Sequence, residues 1–134
     1  NLRTIVLLIG INDLGYPVSE KSSMPTAQQL IDGYRQIIAR THARGVKVVG
    51  CTIMPFRASG DDYYSAEGEA VRLAVNQWIR TGGAFDHVMD FDRLTADAED
   101  SSLLAKLYDS GDGLHPPDKG YAAMAAAFDL RALR

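Results

Sequence analysis

One cysteine in 134 residues, Cys51, leaves no internal disulfide framework, so the chain depends on an apolar core. Cys51 lies in an apolar run, where a small buried thiol is expected rather than a reactive one. Basic residues are not in excess. Fourteen Lys and Arg against 17 Asp and Glu give a formal net charge of −3, which excludes the electrostatic footprint of a nucleic-acid binder. No apolar stretch reaches the roughly 20 residues of a membrane-spanning helix, and no signal-peptide pattern is present. His42 and His87 have no partner at metal-ligand spacing and read as structural or solvated. Asp61, Asp62, Asp97, Glu99 and Asp100 lack the regular spacing of a calcium loop and read as solvated loop acids. No metal and no cofactor is expected. A Gly-rich loop joining a strand to a helix N-terminus is also missing, which disfavours a nucleotide- or phosphate-binding domain. With no repeats, low-complexity tracts or linkers, residues 1–134 read as one domain or part of one.

What is present is a core-forming chain, 46% hydrophobic, with a regular alternation of strand and helix signals. Arg3 to Gly10 is a continuous β-branched and aliphatic run, suited to a strand buried on both faces as in a parallel sheet. A polar loop is expected next. Thr26 then opens a helix with Gln29 placed for a capping box, Leu30, Ile31, Tyr34, Ile37 and Ile38 at helical spacing, and Gly45 as a left-handed stop. Val46 to Ile53 is a second buried strand that exits through Met54-Pro55-Phe56 into a Gly/Asp/Tyr loop. A second helix begins near Ser65, buries Val71, Ala74, Val75, Trp78 and Ile79, and ends at Gly82-Gly83. Val88 to Phe91 is a shorter third strand. An irregular acidic stretch, Leu103 to Tyr108 and a turn from Asp109 to Pro117 lead to an Ala-rich helix with Tyr121, Met124, Ala125 and Phe128 on one face. This order predicts an α/β fold with a parallel sheet and right-handed crossovers.

In open parallel sheets ligands bind at the carboxyl ends of the strands. Two features fall there: Gly10-Ile11-Asn12-Asp13 and Asp112-Gly113-Leu114-His115-Pro116. An Asp three residues before a His in a tight loop can hold one imidazole nitrogen, fixing the tautomer and leaving the other nitrogen to act on a nucleophile. The Asn12 side-chain NH₂ can donate to a developing oxyanion. Taken singly, each has a plainer reading, a turn or helix cap for Asn-Asp and surface decoration for Asp-x-x-His. Their co-occurrence at a strand end and before the last helix favours the catalytic reading.

Gly10-x-Asn12-Asp13 resembles the third conserved block of the SGNH/GDSL hydrolases, and Asp112-x-x-His115-Pro116 resembles their fifth. Thr52-Ile53-Met54-Pro55-Phe56 looks like the strand exit that lines the pocket in that family. The resemblance covers essentially the whole chain. It implies a three-layer, flavodoxin-like parallel sheet, of which strands three to five of five lie here. It further implies His115 as general base, Asp112 as its orienting acid and Asn12 as an oxyanion donor. Gly10 would give the close turn that aims Asn12, and Asp13 would brace the loop. Met54, Pro55 and Tyr64 are candidate substrate-binding residues. Tyr63 is weighed as a cleft residue against packing on the next helix, and Trp78 is structural.

The family's Gly-Asp-Ser nucleophile motif is absent. None of Ser19, Ser22, Ser23, Ser59, Ser65, Ser101, Ser102 and Ser110 stands in that context, and Ser110-Gly111-Asp112 is only its reversal. The opening Asn1-Leu2-Arg3 runs straight into a strand and reads as a cut. The expected function is therefore serine-type hydrolysis of acyl esters in a longer parent, with these residues alone inactive. The alternative is a non-catalytic ligand-binding relic on the same fold. Carbohydrate acetates, short-chain esters and lysophospholipids all stay open as substrates. Without a preceding segment, the strand at residues 3–10 would be an apolar edge that pairs with another chain or aggregates. The resemblance leans toward a secreted or periplasmic setting, and location is otherwise undetermined.

Overall fold

The computed structural model describes residues 2–133; Asn1 and Arg134 lie outside the described residues. Three strands, β1 (Thr4–Leu7), β2 (Lys47–Cys51) and β3 (His87–Met89), form one sheet in the order β1-β2-β3. Both pairings are parallel, with Ile5 opposite Val48 and Gly50 opposite Val88. Five helices accompany them among the described residues: α1 (Ile11–Ser19), α2 (Ala27–His42), α3 (Ala66–Thr81), α4 (Phe91–Thr95) and α5 (Asp118–Ala127). The α/β class with a parallel sheet is as the strand–helix alternation predicts.

The start of α2 follows its sequence signal. Thr26 caps it, its hydroxyl accepting from Gln29 N–H while the Gln29 side chain accepts from Thr26 N–H. Such a reciprocal pair satisfies two of the donors a helix start leaves open. Gly45 closes the far end at φ 66°. Ser65 caps α3 by accepting from Gly68 N–H.

Five expectations need correction. The polar loop after β1 is helix α1, although Asn12, Asp13, Gly15 and Pro17 all disfavour a helix interior. Burial overrides propensity: Leu14 is fully buried, and Gly15 lies so close to the Tyr63 ring that a Cβ there would come within 1.9 Å of it. The first strand is four residues rather than eight and is not buried on both faces. It is an edge, with Val6 47% exposed and Ile9, two residues past its end, equally so. In α3, Ala74 is exposed, while Arg72 and Asn76 join Val75 and Ile79 in the interior. The third strand ends at Met89, Asp90 caps α4 by accepting from Arg93 N–H, and Phe91 opens that helix within the stretch expected to be irregular. On α5, Met124 is buried and Phe128 half-buried, but Tyr121 and Ala125 face solvent.

The core has two parts, one on each side of the sheet. Leu14, Ile31, Tyr34, Ile38, Val48, Ile53, Phe56, Val75, Ile79 and Phe85 pack between the sheet and α1, α2 and α3. Val49, Cys51, Met89, Phe91, Leu104, Tyr108 and Met124 pack on the other face, beneath α5. Val48 and Val49, adjacent in β2, point to opposite sides, which is why the central strand is an unbroken apolar run. Cys51 is fully buried, and burial pushes its thiol up to about 12.

The buried polar residues of α3 fix where β2 ends. Asn76 accepts from Ile53 N–H at 2.7 Å and donates to Ile53 C=O at 2.8 Å, standing in for a strand partner. Arg72 donates to the same carbonyl at 2.9 Å, pairs doubly with Glu69, and contacts Asp92. Arg80 ties Asp90 and Asp92 together, and Asp90 also accepts from Thr52 Oγ1. Burial raises the Asp90 carboxyl, and the Arg80 and Thr52 bonds outweigh it, holding the group below its ordinary value. Removing one partner of such a buried pair typically costs about 3–5 kcal/mol. This network places the β2 exit, Met54-Pro55-Phe56, beside the end of β1.

Candidate active site

The end of β1 is set by a glycine. Gly10 has φ 113°, and a Cβ there would stand 2.8 Å from Ile53 Cδ1 and 3.0 Å from Tyr34 Oη. A larger residue is excluded by both conformation and space. Tyr34 Oη donates to Ile9 C=O at 2.7 Å. Burial, then the nearby Asp13 charge, raise that phenol well above its ordinary value, so it remains a donor. Gly10 C=O accepts from Asp13 N–H at 3.1 Å, which starts α1 and puts Asn12 in its first turn, exposed to solvent.

Among the described residues Asn12 has one side-chain partner. Tyr63, from the loop between β2 and α3, donates its hydroxyl to Asn12 Oδ1 at 2.6 Å. Tyr64 next to it turns to the core and packs edge-on against Phe56, ring centroids 5.1 Å apart.

The second half of the site is a self-closed loop. Asp109 Oδ1 accepts from Gly111 N–H and Gly113 N–H, and Asp112 Oδ1 accepts from Leu114 N–H and His115 N–H. The other Asp112 oxygen accepts from His115 Nδ1 at 2.7 Å. His115 N–H, then its ring and Leu114 N–H, hold the Asp112 carboxyl far below the usual carboxylate range. An ionised carboxylate is acceptor-only, so His115 Nδ1 is the donor in this bond, and in the neutral imidazole Nε2 would carry the lone pair. Nε2 has no partner among the described residues. Gly113, at φ 70°, presses on the turn that follows β2. A Cβ would lie 2.1 Å from the Ala58 carbonyl carbon.

One apolar cleft is shared by the neighbours of these two halves, although Asn12, Asp112 and His115 themselves are not among its lining residues. Ile11, next to Asn12, and Leu114, next to His115, line it together with Leu8, Ile9, Ile53, Met54 and Pro55. Met54 and Pro55 thus stand in the cleft, whereas Gly10 is not among its lining residues and lies instead in a separate groove with Asp13 and Tyr34 against α2. Tyr64 is not among its lining residues. No group of three or more His, Cys, Asp or Glu among the described residues is arranged to hold a metal ion. Sequence reasoning missed the Tyr63–Asn12 bond, the Asp109 brace and the Arg72/Asn76 support of Ile53. Asp109-x-Gly111 and Asp112-x-Leu114 carry the signal of side-chain-closed turns. Two polar residues four apart on the buried stripe of α3 were the available sign of the third.

Fold and cleft together define a class: a parallel α/β sheet with polar groups gathered at the carboxyl ends of its strands. The GDSL-like lipase/acylhydrolase family matches over residues 2–123, and the chain belongs to that family. Among solved structures, a GDSL-like lipase from Bacteroides thetaiotaomicron superposes with a TM-score of 0.69 at 18% identity, covering 92% of this chain and 58% of its own. A structure assigned to an acylhydrolase from Bacteroides fragilis gives a TM-score of 0.72 at 18% identity, covering 98% of this chain and 62% of its own. These likenesses are of fold. The chain therefore spans about three-fifths of the length of those structures. No curated protein sequence matches it. No helix among the described residues is long and apolar enough to cross a membrane.

Proposed function

We propose that these residues are the C-terminal portion of one serine-type acyl-ester hydrolase domain, holding strands three to five of its sheet and supplying the general base, its orienting acid and one oxyanion donor, but not the nucleophile or the second oxyanion donor. The observation that carries this is the His115–Asp112 pair at 2.7 Å beside the cleft that Ile11 and Leu114 share. A serine hydroxyl from outside these residues attacks the ester carbonyl and passes its proton to His115 Nε2, while Asp112 stabilises the imidazolium. Asn12 Nδ2 donates to the oxyanion of the tetrahedral intermediate. The intermediate collapses, His115 returns the proton to the departing alcohol, and water then releases the acyl group by the same steps in reverse order. Gly10 aims Asn12, Met54 and Pro55 contact substrate, and Tyr64 supports that wall through Phe56.

The exposed apolar edge of β1 takes a partner strand, either a preceding segment or another chain. Val6 in that strand, and Leu8 and Ile9 just after it, are 47%, 38% and 47% exposed, a pairing liability when left open. The test uses the complete protein and residues 1–134 alone, with p-nitrophenyl acetate and a fluorophosphonate label. The complete protein is expected to turn over ester and to label at a serine outside these residues. The 134 residues alone are expected to show background activity and to associate or precipitate. A labelled serine within them, or a monodisperse, cooperatively folding monomer, would sink the corresponding half. A complete protein that binds esters without cleaving them would establish a non-catalytic relic instead.

A further inference from the structure

Tyr63 does more than fill space beside α1, and its role rests on the esterase reading above. Its ring is fixed on three sides: against Gly15 of α1, edge-on to Tyr16 at 5.9 Å, and edge-on to Phe56 at 6.4 Å. Its backbone N–H donates to Gly60 C=O at 3.0 Å, anchoring the loop that carries it. A phenol so held offers its hydroxyl at a set point, and that point is 2.6 Å from Asn12 Oδ1. A primary amide is planar, with a carbonyl on one arm and NH₂ on the other. Engaging the carbonyl arm leaves the NH₂ arm turned away from the phenol. A flip would set NH₂ against the hydroxyl and deprive the phenol proton of its acceptor. Burial, then the neighbouring Tyr16 and Asp13, raise the Tyr63 phenol above its ordinary value, so the donor persists across neutral pH.

We propose that Tyr63 is a positioning residue that orders the Asn12 amide, so that Nδ2 is the atom presented to substrate. Asn12 is itself exposed, and without this bond its amide rotates freely in water. An oxyanion donor is effective only when aimed before charge develops.

Tyr63→Phe keeps the ring and its packing and removes only the hydroxyl. In the complete protein it is expected to lower kcat about 10-fold, loosening a donor whose full loss costs about 100- to 1,000-fold, with KM nearly unchanged. In an Asn12→Ala background the same change is expected to cost nothing further, the signature of two residues acting as one unit. Equal losses in both backgrounds overturn the proposal. A second measurement does not use catalysis: the Asn12 side-chain NH₂ signals in ¹⁵N–¹H spectra are expected to move in Tyr63→Phe while the backbone amides of α2 and β2 hold still. Unmoved Asn12 signals refute the positioning bond whatever the activity. Moved signals in a protein with no esterase activity would instead refute the esterase reading and leave the bond standing.

Discussion

Two Asp–His pairs of the same length sit at opposite ends of the sheet. His42, the last residue of α2, donates through Nε2 to Asp86 at 2.7 Å; His115 donates through Nδ1 to Asp112 at 2.7 Å. Asp86 precedes β3 and also accepts from Val48 N–H at 2.7 Å, at the entry of β2. It therefore secures the sheet where the strands begin. Asp112 takes its backbone N–H bonds from its own loop, at the end where the strands finish. The pair distance is the same, so it carries no functional information by itself. What separates the two is the company: Leu114 of the His115 loop lines an apolar cleft that Ile11 of the Asn12 helix also lines, whereas His42 and Asp86 adjoin strand starts. In a parallel sheet the exit loops, not the entries, converge on ligand.

The sharpest way to break this contrast is to delete each imidazole in the complete protein. His115→Ala is expected to reduce kcat for p-nitrophenyl acetate about 1,000-fold with little change in melting temperature, within the span that general acid–base catalysis supplies. His42→Ala is expected to leave kcat within about twofold, since no substrate contact is lost. A comparable activity loss in both would show that the end of the sheet does not decide.

A smaller effect compares the glycines beside the two pairs. Gly45 and Gly113 are both left-handed, at φ 66° and 70°, but only Gly113 is crowded. Gly45→Ala is expected to cost about 1–2 kcal/mol, the backbone preference alone. Gly113→Ala adds a collision with the Ala58 backbone and is expected to cost about 1 kcal/mol or more beyond that, with activity lost as the His115 loop lifts. Urea midpoints and kcat on both variants measure the difference; equal costs would mean the loop yields freely.

The smallest effect is in acid. Val48 N–H, then His42, hold the Asp86 carboxyl below its ordinary value, and His115 N–H, then its ring, do the same for Asp112. A lowered carboxylate contributes stability fully above its unfolded value of about 3.9, lost as pH falls toward the folded one. Urea midpoints are thus expected to be flat with respect to both carboxylates from pH 8 to 5, and to fall below about pH 4. Asp86→Asn and Asp112→Asn should each flatten that fall. An undiminished slope in either variant shows that its pair contributes nothing.

Much of this was legible without coordinates. The capping box at Thr26 and Gln29 and the apolar run of β2 are local patterns with one physical reading each. Asp112-x-x-His115 was also legible, because an Asp three residues before a His closes its own turn. The first helix was not, since its turn-forming residues lose to the burial of Leu14 and the fit of Gly15 under Tyr63. Arg72 and Asn76 were not, because a polar residue on an apolar stripe does not name its distant partner at Ile53.

The resemblance in Gly10-x-Asn12-Asp13 and Asp112-x-x-His115-Pro116 pointed from sequence to the family that the match over residues 2–123 establishes. By itself the sequence determined the strand–helix order, the parallel sheet that order demands, and the residue types at its exits. Only the tertiary structure decided that Tyr63 reaches Asn12 across 51 positions, and that Leu114 beside His115 shares a cleft with Ile11 beside Asn12. The reason is range. Caps, turns and periodicity act over a few residues and can be read in order, whereas a site is assembled from strand exits that only the folded sheet brings side by side.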